Sequence, residues 1–326
     1  MYLDFYRLKR EPFRITPDPE FLYLSPGHKE ALGAIAYGVE QRKGIIAVTG
    51  QVGTGKTTIL RSYLDKADPE RVKSAYVLNP NVSFPALLQT IFRELGIQPG
   101  SDETSERVDR FHRYLIEEYE KDNTVVLFID EAQNTPVETL ENLRMLSNLE
   151  STEDKLLQIV LCGQPELESL LGRSELRQLR SRIAIRADIP PLSRKESLAY
   201  FRHRMSLSSE DGSDIFTRAA LERIVRKTQG NPRAINVLCD NALITGYGSG
   251  ETKVSFRTAG EIIADMEGRT ASRIPGWAVA SVGLFLFLFL AVGYGIYSTN
   301  ASRPRAHPAN NPVVIRLDAQ ADSAGK

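Results

Sequence analysis

The sequence predicts an α/β protein built on a parallel sheet, with a smaller all-helical domain behind it and then a single transmembrane helix. Three observations carry this reading. Short apolar runs, GIIAVTG (Gly44 to Gly50), TVVLFID (Thr124 to Asp130) and QIVLCG (Gln158 to Gly163), alternate with segments of helical periodicity, the pattern of a parallel sheet covered on both faces. After Pro190 and Pro191 the texture changes to helices only. From Ile274 to Ser302 no side chain is charged. At ~1.5 Å per residue, ~29 residues reach ~43 Å, enough to cross a ~30 Å hydrocarbon core once.

Each element has a local reason. The opening DFYRLKREPFRITPDPEFLYLS mixes aromatics with prolines and ends at Ser25 and Pro26, an N-cap followed by the residue favoured in the first helical turn, so a helix is expected from Pro26 to about Arg42. GIIAVTG reads as a buried strand entering a glycine-rich loop, and TTILRSYLDKA as the helix after it. SAYVLN (Ser74 to Asn79) is a second strand. SFPALLQTIFRELG is a helix stopped by Gly96, and ERVDRFHRYLIEEYEKD is a helix with Val108, Phe111, Leu115 and Tyr119 at helical spacing. TVVLFID is a fully apolar strand whose acidic carboxyl end is where α/β sheets carry function. The run Thr135-Pro136-Val137-Glu138 predicts a capping box launching a helix to about Leu149, and IAIRADIP near Ile183 a last strand.

In the helical part, Ser193 and Glu196 form a capping box, and Thr217 begins a helix that runs to Thr228 before a Gln229-Gly230-Asn231-Pro232 turn. The expected organisation is an α/β domain over 1–190, a helical domain over 191–268, a transmembrane helix over 274–298 and a short disordered tail over 299–326. Trp277, Tyr294 and Tyr297 flank the span as interfacial aromatics do. The tail is rich in Pro, Asn and Ala and too short to fold alone.

Composition narrows the function. A chain of 326 residues, 42% apolar and 25% charged, is ordinary for a globular protein. Its 41 basic and 41 acidic residues cancel, so no global positive field draws it to nucleic acid, and DNA binding needs a local patch. Cys162, Cys239 and four scattered histidines show neither metal-ligand spacing nor a disulfide framework, which fits a reducing compartment and cysteines used as small buried hydrophobes.

The chemistry is concentrated in three places. Gly50-Gln51-Val52-Gly53-Thr54-Gly55-Lys56-Thr57 matches GxxxxGK[ST] between a strand and a helix. Its glycines let backbone N–H groups curl around phosphates, Lys56 neutralises the β- and γ-phosphates of ATP, and Thr57 offers its hydroxyl to Mg²⁺, with Thr58 next to it at the helix start. Asp130 and Glu131 close an apolar strand, placing one carboxylate for Mg²⁺ and its water shell and the next for polarising the attacking water. Gln164, just past the strand ending at Gly163, is positioned to reach the γ-phosphate or that water.

The P-loop, LFIDEAQ, GQPEL, the arginine cluster LRQLRSRI and the turn GNPRAIN, in that order, resemble an AAA+ ATPase. With the opening DFYRLKREPF…TPDPEFLYLSPGHKEAL, residues 1–268 resemble the general secretion pathway protein A (ExeA-type) ATPases of bacteria. The resemblance implies an AAA+ sheet domain with a helical lid, a homo-oligomer (ring or dimer) with a shared ATP site, and envelope secretion or assembly proteins as partners. It also implies that Arg182, with Arg180 as the alternative, reaches the nucleotide of a neighbouring subunit, and that Arg233 is the lid's sensor arginine. Larger members of the family carry a periplasmic peptidoglycan-binding domain after the span; the ~29 residues found here are too few for one.

The expected protein is therefore an ATPase held at the bacterial inner membrane by one helix, serving a secretion, pilus or exopolysaccharide system. Two alternatives are a DNA-directed AAA+ ATPase resembling a transposition helper, and a weakly hydrolysing nucleotide-switch scaffold. The former predicts a basic patch beyond the lid, where the sequence has a near-neutral lid and then lipid-compatible residues. Arg269 and Arg273 before the span balance Arg303 and Arg305 after it, so flanking charge does not orient the chain. The ATP requirement does: the folded N-terminal part is expected in the cytoplasm and the tail in the periplasm.

Overall fold

Five parallel strands form one sheet in the order β2-β3-β4-β1-β5, with β1 Ile45–Gly50, β2 Val72–Val77, β3 Thr124–Ile129, β4 Leu157–Gly163 and β5 Ile183–Ile189. The computed structural model describes residues 1–268 other than 17, 18, 99, 101, 152, 153 and 210–213, together with Val292. Contacts gather Met1–Thr270 into one compact unit. The expected transmembrane helix over 274–298, Val292 excepted, and the tail over 299–326 lie outside the described residues. Among the described residues no helix is long and apolar enough to cross a membrane.

The period of two in the strands separates two cores. Val125, Leu127 and Ile129 of β3, with Ile159 and Leu161 of β4, face α4 (Phe84–Glu94), α5 (Thr104–Glu120) and α6 (Val137–Leu146), where Leu87, Ile91, Phe111, Leu115 and Leu140 are fully buried. The alternate residues Val126, Phe128, Val160 and Cys162 face α2 (Pro26–Glu40) and α3 (Lys56–Leu64), against Ala31, Ile35, Ile59 and Leu60. Strands β1, β3 and β4 are buried on both faces, which is why their sequences are apolar but for Thr49, Thr124 and Gln158 rather than alternating. In parallel register Gly50 lies beside Ile189, Thr49 beside Gly163 and Ile129 beside Leu161, so the ends of β1, β3 and β4 meet at one rim.

Past β5 the chain is helical: α9 Arg194–Ser208, α10 Arg218–Thr228, α11 Pro232–Gly248 and α12 Phe256–Met266. Ser193 and Glu196 close the capping box before α9, and Thr217 caps α10, as the sequence predicts. The core of this part also takes in residues that sequence reading placed with the sheet. Tyr6, Leu8 and Phe13 are buried among α9 to α12, with Phe13 stacked on Phe201 and edge-on to Phe216. The opening segment thus begins in the helical part, with α1 (Tyr2–Phe5) against α11, and runs back to α2.

One local expectation fails. Thr135 caps nothing: α6 starts at Val137 with Pro136 at its cap, no side chain closes the turn, and the helix ends at Leu146 rather than near Leu149. A short 3₁₀ turn over Ala132–Asn134 consumes the Thr135 N–H, which donates to the Ala132 carbonyl, and turns its hydroxyl inward. That hydroxyl is buried without a hydrogen-bond partner among the described residues.

Candidate active site

The P-loop hangs between β1 and α3 and is held by its own atoms. Gly53 and Gly55 sit at φ +81° and +100°, conformations that cost an L side chain ~1–2 kcal/mol. Lys56 folds back so that Nζ donates to the Gly50 and Gln51 carbonyls at 2.8 and 3.0 Å, which occupies two of its three donors and leaves one for a phosphate. Thr54 Oγ1 donates to the Gln51 carbonyl at 2.8 Å. Val52, at the tip of the loop, is half exposed.

Beside the loop, Asp130 continues β3 and is 1% exposed. Its Oδ2 accepts from Thr57 Oγ1 at 2.7 Å and from the Tyr76 hydroxyl at 2.8 Å, and its Oδ1 accepts from the Glu131 backbone N–H at 2.9 Å. Burial, followed by the charge of Asp130, pushes the Tyr76 phenol well above its ordinary pKa, so it stays a donor. Thr57 and Asp130 together present hard oxygen ligands at the loop, the donor set that Mg²⁺ takes. No cluster of His, Cys, Asp and Glu able to hold a metal by itself occurs among the described residues.

Glu131 adopts a left-handed backbone conformation at φ +52°, strained for a non-glycine residue and recurrent at functional positions. Its Oε2 accepts from Gln133 Nε2 at 2.6 Å and from Gln164 Nε2 at 2.9 Å, while the Gln164 backbone N–H donates to Gln133 Oε1 at 3.0 Å. Burial by itself would raise this carboxyl, but the amides of Gln164 and Gln133 and the charge of Lys56 hold it below the usual carboxylate range. At neutral pH it is ionised, as a base must be.

The helical part closes the cleft. Asn231, capping α11, donates to the Val52 carbonyl at 2.6 Å, and the Arg233 backbone N–H reaches the Gly53 carbonyl at 3.3 Å. Arg233, Glu131, Lys56, Thr57 and Thr58 line one cavity of about 280 Å³, whose other wall is formed by Ile15, Phe21, Tyr23 and Tyr200. The P-loop, Glu131 and Arg233 are therefore brought to one place, with Asp130 behind Thr57. Arg180 and Arg182 are not: both are exposed in α8 (Arg177–Arg182), which ends where β5 begins. Ile183 lies beside Ile45 and Ile189 beside Gly50, so Arg182 is at the far rim of the sheet, ~17 Å or more from its own P-loop at ~3.3 Å per residue.

Sequence reading missed four groups that shape the site: His28, Tyr76, Gln133 and Asn231. Gln133 and Asn231 sit inside quoted motifs, two residues after Glu131 and two before Arg233, where a polar residue is a signal. Tyr76 gave a weaker one, a polar tip near the end of a strand.

Comparisons with known proteins agree with this geometry. A family model described as an AAA domain matches residues 39–171. The chain is 40% identical over 255 residues to general secretion pathway protein A of Aeromonas hydrophila, a match that covers 78% of this chain and 46% of that protein. The chain thus spans somewhat less than half the length of that relative. Among solved structures, the Aeropyrum pernix ORC2 protein in its ADPNP-ADP complexes matches with a TM-score of 0.60 at 20% identity, over 79% of this chain and 72% of that one. Drosophila ORC bound to DNA matches with a TM-score of 0.61 at 18% identity, over 82% and 66%. At these identities the structural likeness is one of fold. Sheet, P-loop and acidic rim are those of a P-loop ATPase, with a match to an AAA domain over residues 39–171, in a chain that is similar to general secretion pathway protein A over 78% of its length.

Proposed function

We propose that the chain is a membrane-anchored AAA+ ATPase that hydrolyses ATP to drive assembly or operation of a bacterial envelope secretion, pilus or exopolysaccharide system. The observation that carries the enzymatic part is that Lys56, Thr57 and Glu131 line one cleft, with Asp130 bonded to Thr57 and Gln164 to Glu131 behind it. The secretion assignment rests on the 40% kinship. The charge balance of the chain supports this over a DNA-directed role.

In this reading the P-loop N–H groups from Gly50 to Thr58 cradle the phosphates, and the free donor of Lys56 meets the β- and γ-phosphates. Mg²⁺ held by Thr57 and Asp130 would neutralise charge on the β- and γ-oxygens. Glu131, ionised and restrained by two amides, takes a proton from the attacking water, while Gln164 turns from Glu131 to the water or the γ-phosphate. Arg233 reads the γ-phosphate from the lid, so that the sheet domain and the helical domain over 191–268, which takes in the opening segment, act as two coupled parts. Arg182 lies too far from its own cleft and acts on the nucleotide of the next copy, with Arg180 as the alternative, which makes the active form a homo-oligomer. The apolar run over 274–298 anchors the chain in the inner membrane with the ATPase inside and the tail over 299–326 in the periplasm.

The test is to express the full chain, separate membranes from cytosol, and assay Mg²⁺-dependent ATP hydrolysis in each. Activity that remains with the membranes until detergent is added is the expected result. Activity released into the soluble fraction without detergent would remove the anchor, and no hydrolysis at any protein concentration would remove the motor.

A further inference from the structure

The P-loop is also held from outside, by a buried histidine that the reaction itself does not use. His28 is the third residue of α2, is 5% exposed and lines the nucleotide cleft. Its Nε2 lies 2.7 Å from the Thr54 carbonyl oxygen, and its Nδ1 lies 2.7 Å from Ser25 Oγ and 3.3 Å from the Ser25 backbone nitrogen. A carbonyl can only accept, so the ring proton sits on Nε2 and Nδ1 is left to accept from Ser25. Burial lowers the ring's pKa, outweighing the Thr54 carbonyl and the Glu196 carboxylate of α9, so the imidazole is uncharged at neutral pH and keeps this tautomer.

A trans peptide points its C=O and the following N–H in opposite directions. Drawing the Thr54 carbonyl onto His28 therefore turns the Gly55 N–H away from α2. The ring and the glycine are fitted to each other, since a Cβ at Gly55 would stand 2.8 Å from His28 Nε2. We propose that His28 is a positioning residue of the P-loop: its Nε2–H bond fixes the Thr54–Gly55 peptide so that the Gly55 N–H already faces the phosphate position before nucleotide arrives. Without it the peptide is free to rotate, and binding must order the loop at a cost in affinity. This inference rests on the nucleotide reading of the cleft.

Because His28 also completes the Ser25 cap, two substitutions are needed to separate its roles. A glutamine amide nitrogen reaches the place of Nε2 and can donate to Thr54, while an asparagine side chain reaches only the place of Nδ1 and can serve Ser25. His28→Gln thus keeps the loop bond and loses the cap acceptor, and His28→Asn does the reverse. With a fluorescent ATP analogue titrated into the full chain and displaced by ATP or ADP, His28→Asn is expected to weaken both nucleotides about tenfold, and His28→Gln to stay within about threefold of wild type. The two nucleotides weaken together because the bond acts on phosphates they share. Melting temperatures recorded alongside distinguish positioning from folding. If His28→Asn binds like wild type, or if affinity in the two variants simply follows melting temperature, the positioning role is overturned while the nucleotide site stands. If wild type itself binds neither nucleotide, both fall.

Discussion

Removing one oxygen, by Tyr76→Phe, should raise the magnesium concentration needed for half-maximal hydrolysis by about tenfold. Asp130 has three donors, and Oδ2 carries two of them, Thr57 and Tyr76, at 2.7 and 2.8 Å. A hydrogen bond to an ionised group contributes ~1.5–3 kcal/mol, and since Thr57 stays on the same oxygen the lower figure applies, ~1.5 kcal/mol or about tenfold. The variant leaves the aromatic ring in place, so the change falls on the orientation of the carboxylate and not on the sheet. The assay is hydrolysis rate against free Mg²⁺ at saturating ATP, with a melting curve to show that the variant is folded. A folded Tyr76→Phe protein with the wild-type magnesium midpoint would refute the reasoning and leave Tyr76 a packing residue.

Other outcomes follow from the same geometry. Glu131→Gln should bind ATP with near-normal affinity and lose at least ~10²-fold in turnover, because it removes the proton acceptor and leaves the phosphate contacts intact; single-turnover kinetics beside nucleotide titration separate the two steps. Arg182→Ala should bind ATP but hydrolyse it poorly, and mixing it with a Lys56→Ala protein should restore activity, since one supplies an intact cleft and the other an intact arginine. An Arg182→Ala protein that no mixture rescues would count against a shared site. Glu118 provides a stability test: its carboxylate is buried and accepts from Lys121 Nζ at 2.7 Å and Asn123 Nδ2 at 2.8 Å. Burial opposes these donors, yet they hold its pKa below the ordinary value, so its contribution is full at neutral pH and is lost as pH falls through that depressed value. With Lys121 largely exposed the contribution is ~1 kcal/mol, so Glu118→Gln should lower the melting temperature by ~2–4 °C at neutral pH and by progressively less in acid.

What could be read in the sequence was whatever a short window determines. The buried strands announced themselves because both faces need apolar side chains, and the caps at Ser25, Ser193 and Thr217 because a hydroxyl before a periodic run has one common use. Thr135 fitted the same template and failed because the preceding 3₁₀ turn takes its backbone and Pro136 takes the cap. The order β2-β3-β4-β1-β5 is set by pairings far apart in the chain, and no local pattern encodes it. The same holds for the restraints on the acids. Tyr76 meets Asp130 across 54 residues and Gln164 meets Glu131 across 33, so the roles of Asp130 and Glu131 were legible while the groups that aim them were largely hidden. His28 was visible only as a histidine in the first turn of a helix; that its far nitrogen touches Thr54 depends on how α2 crosses the loop.

The burial of Phe13 among α9 to α12 has a consequence for the order of events at birth. The first residues leave the ribosome ahead of the entire sheet, but Phe201 and Phe216, which enclose Phe13, follow much later. At ~5–20 residues per second, ~190 residues of further synthesis keep Tyr6, Leu8 and Phe13 waiting for roughly 10–40 s. The sheet has every strand it needs before the helical part can close, so a segment made ahead of the sheet is the last to find its place. Its final step closes a loop of about 200 residues, and the same contact should be among the first to open when the protein is pulled from its amino terminus.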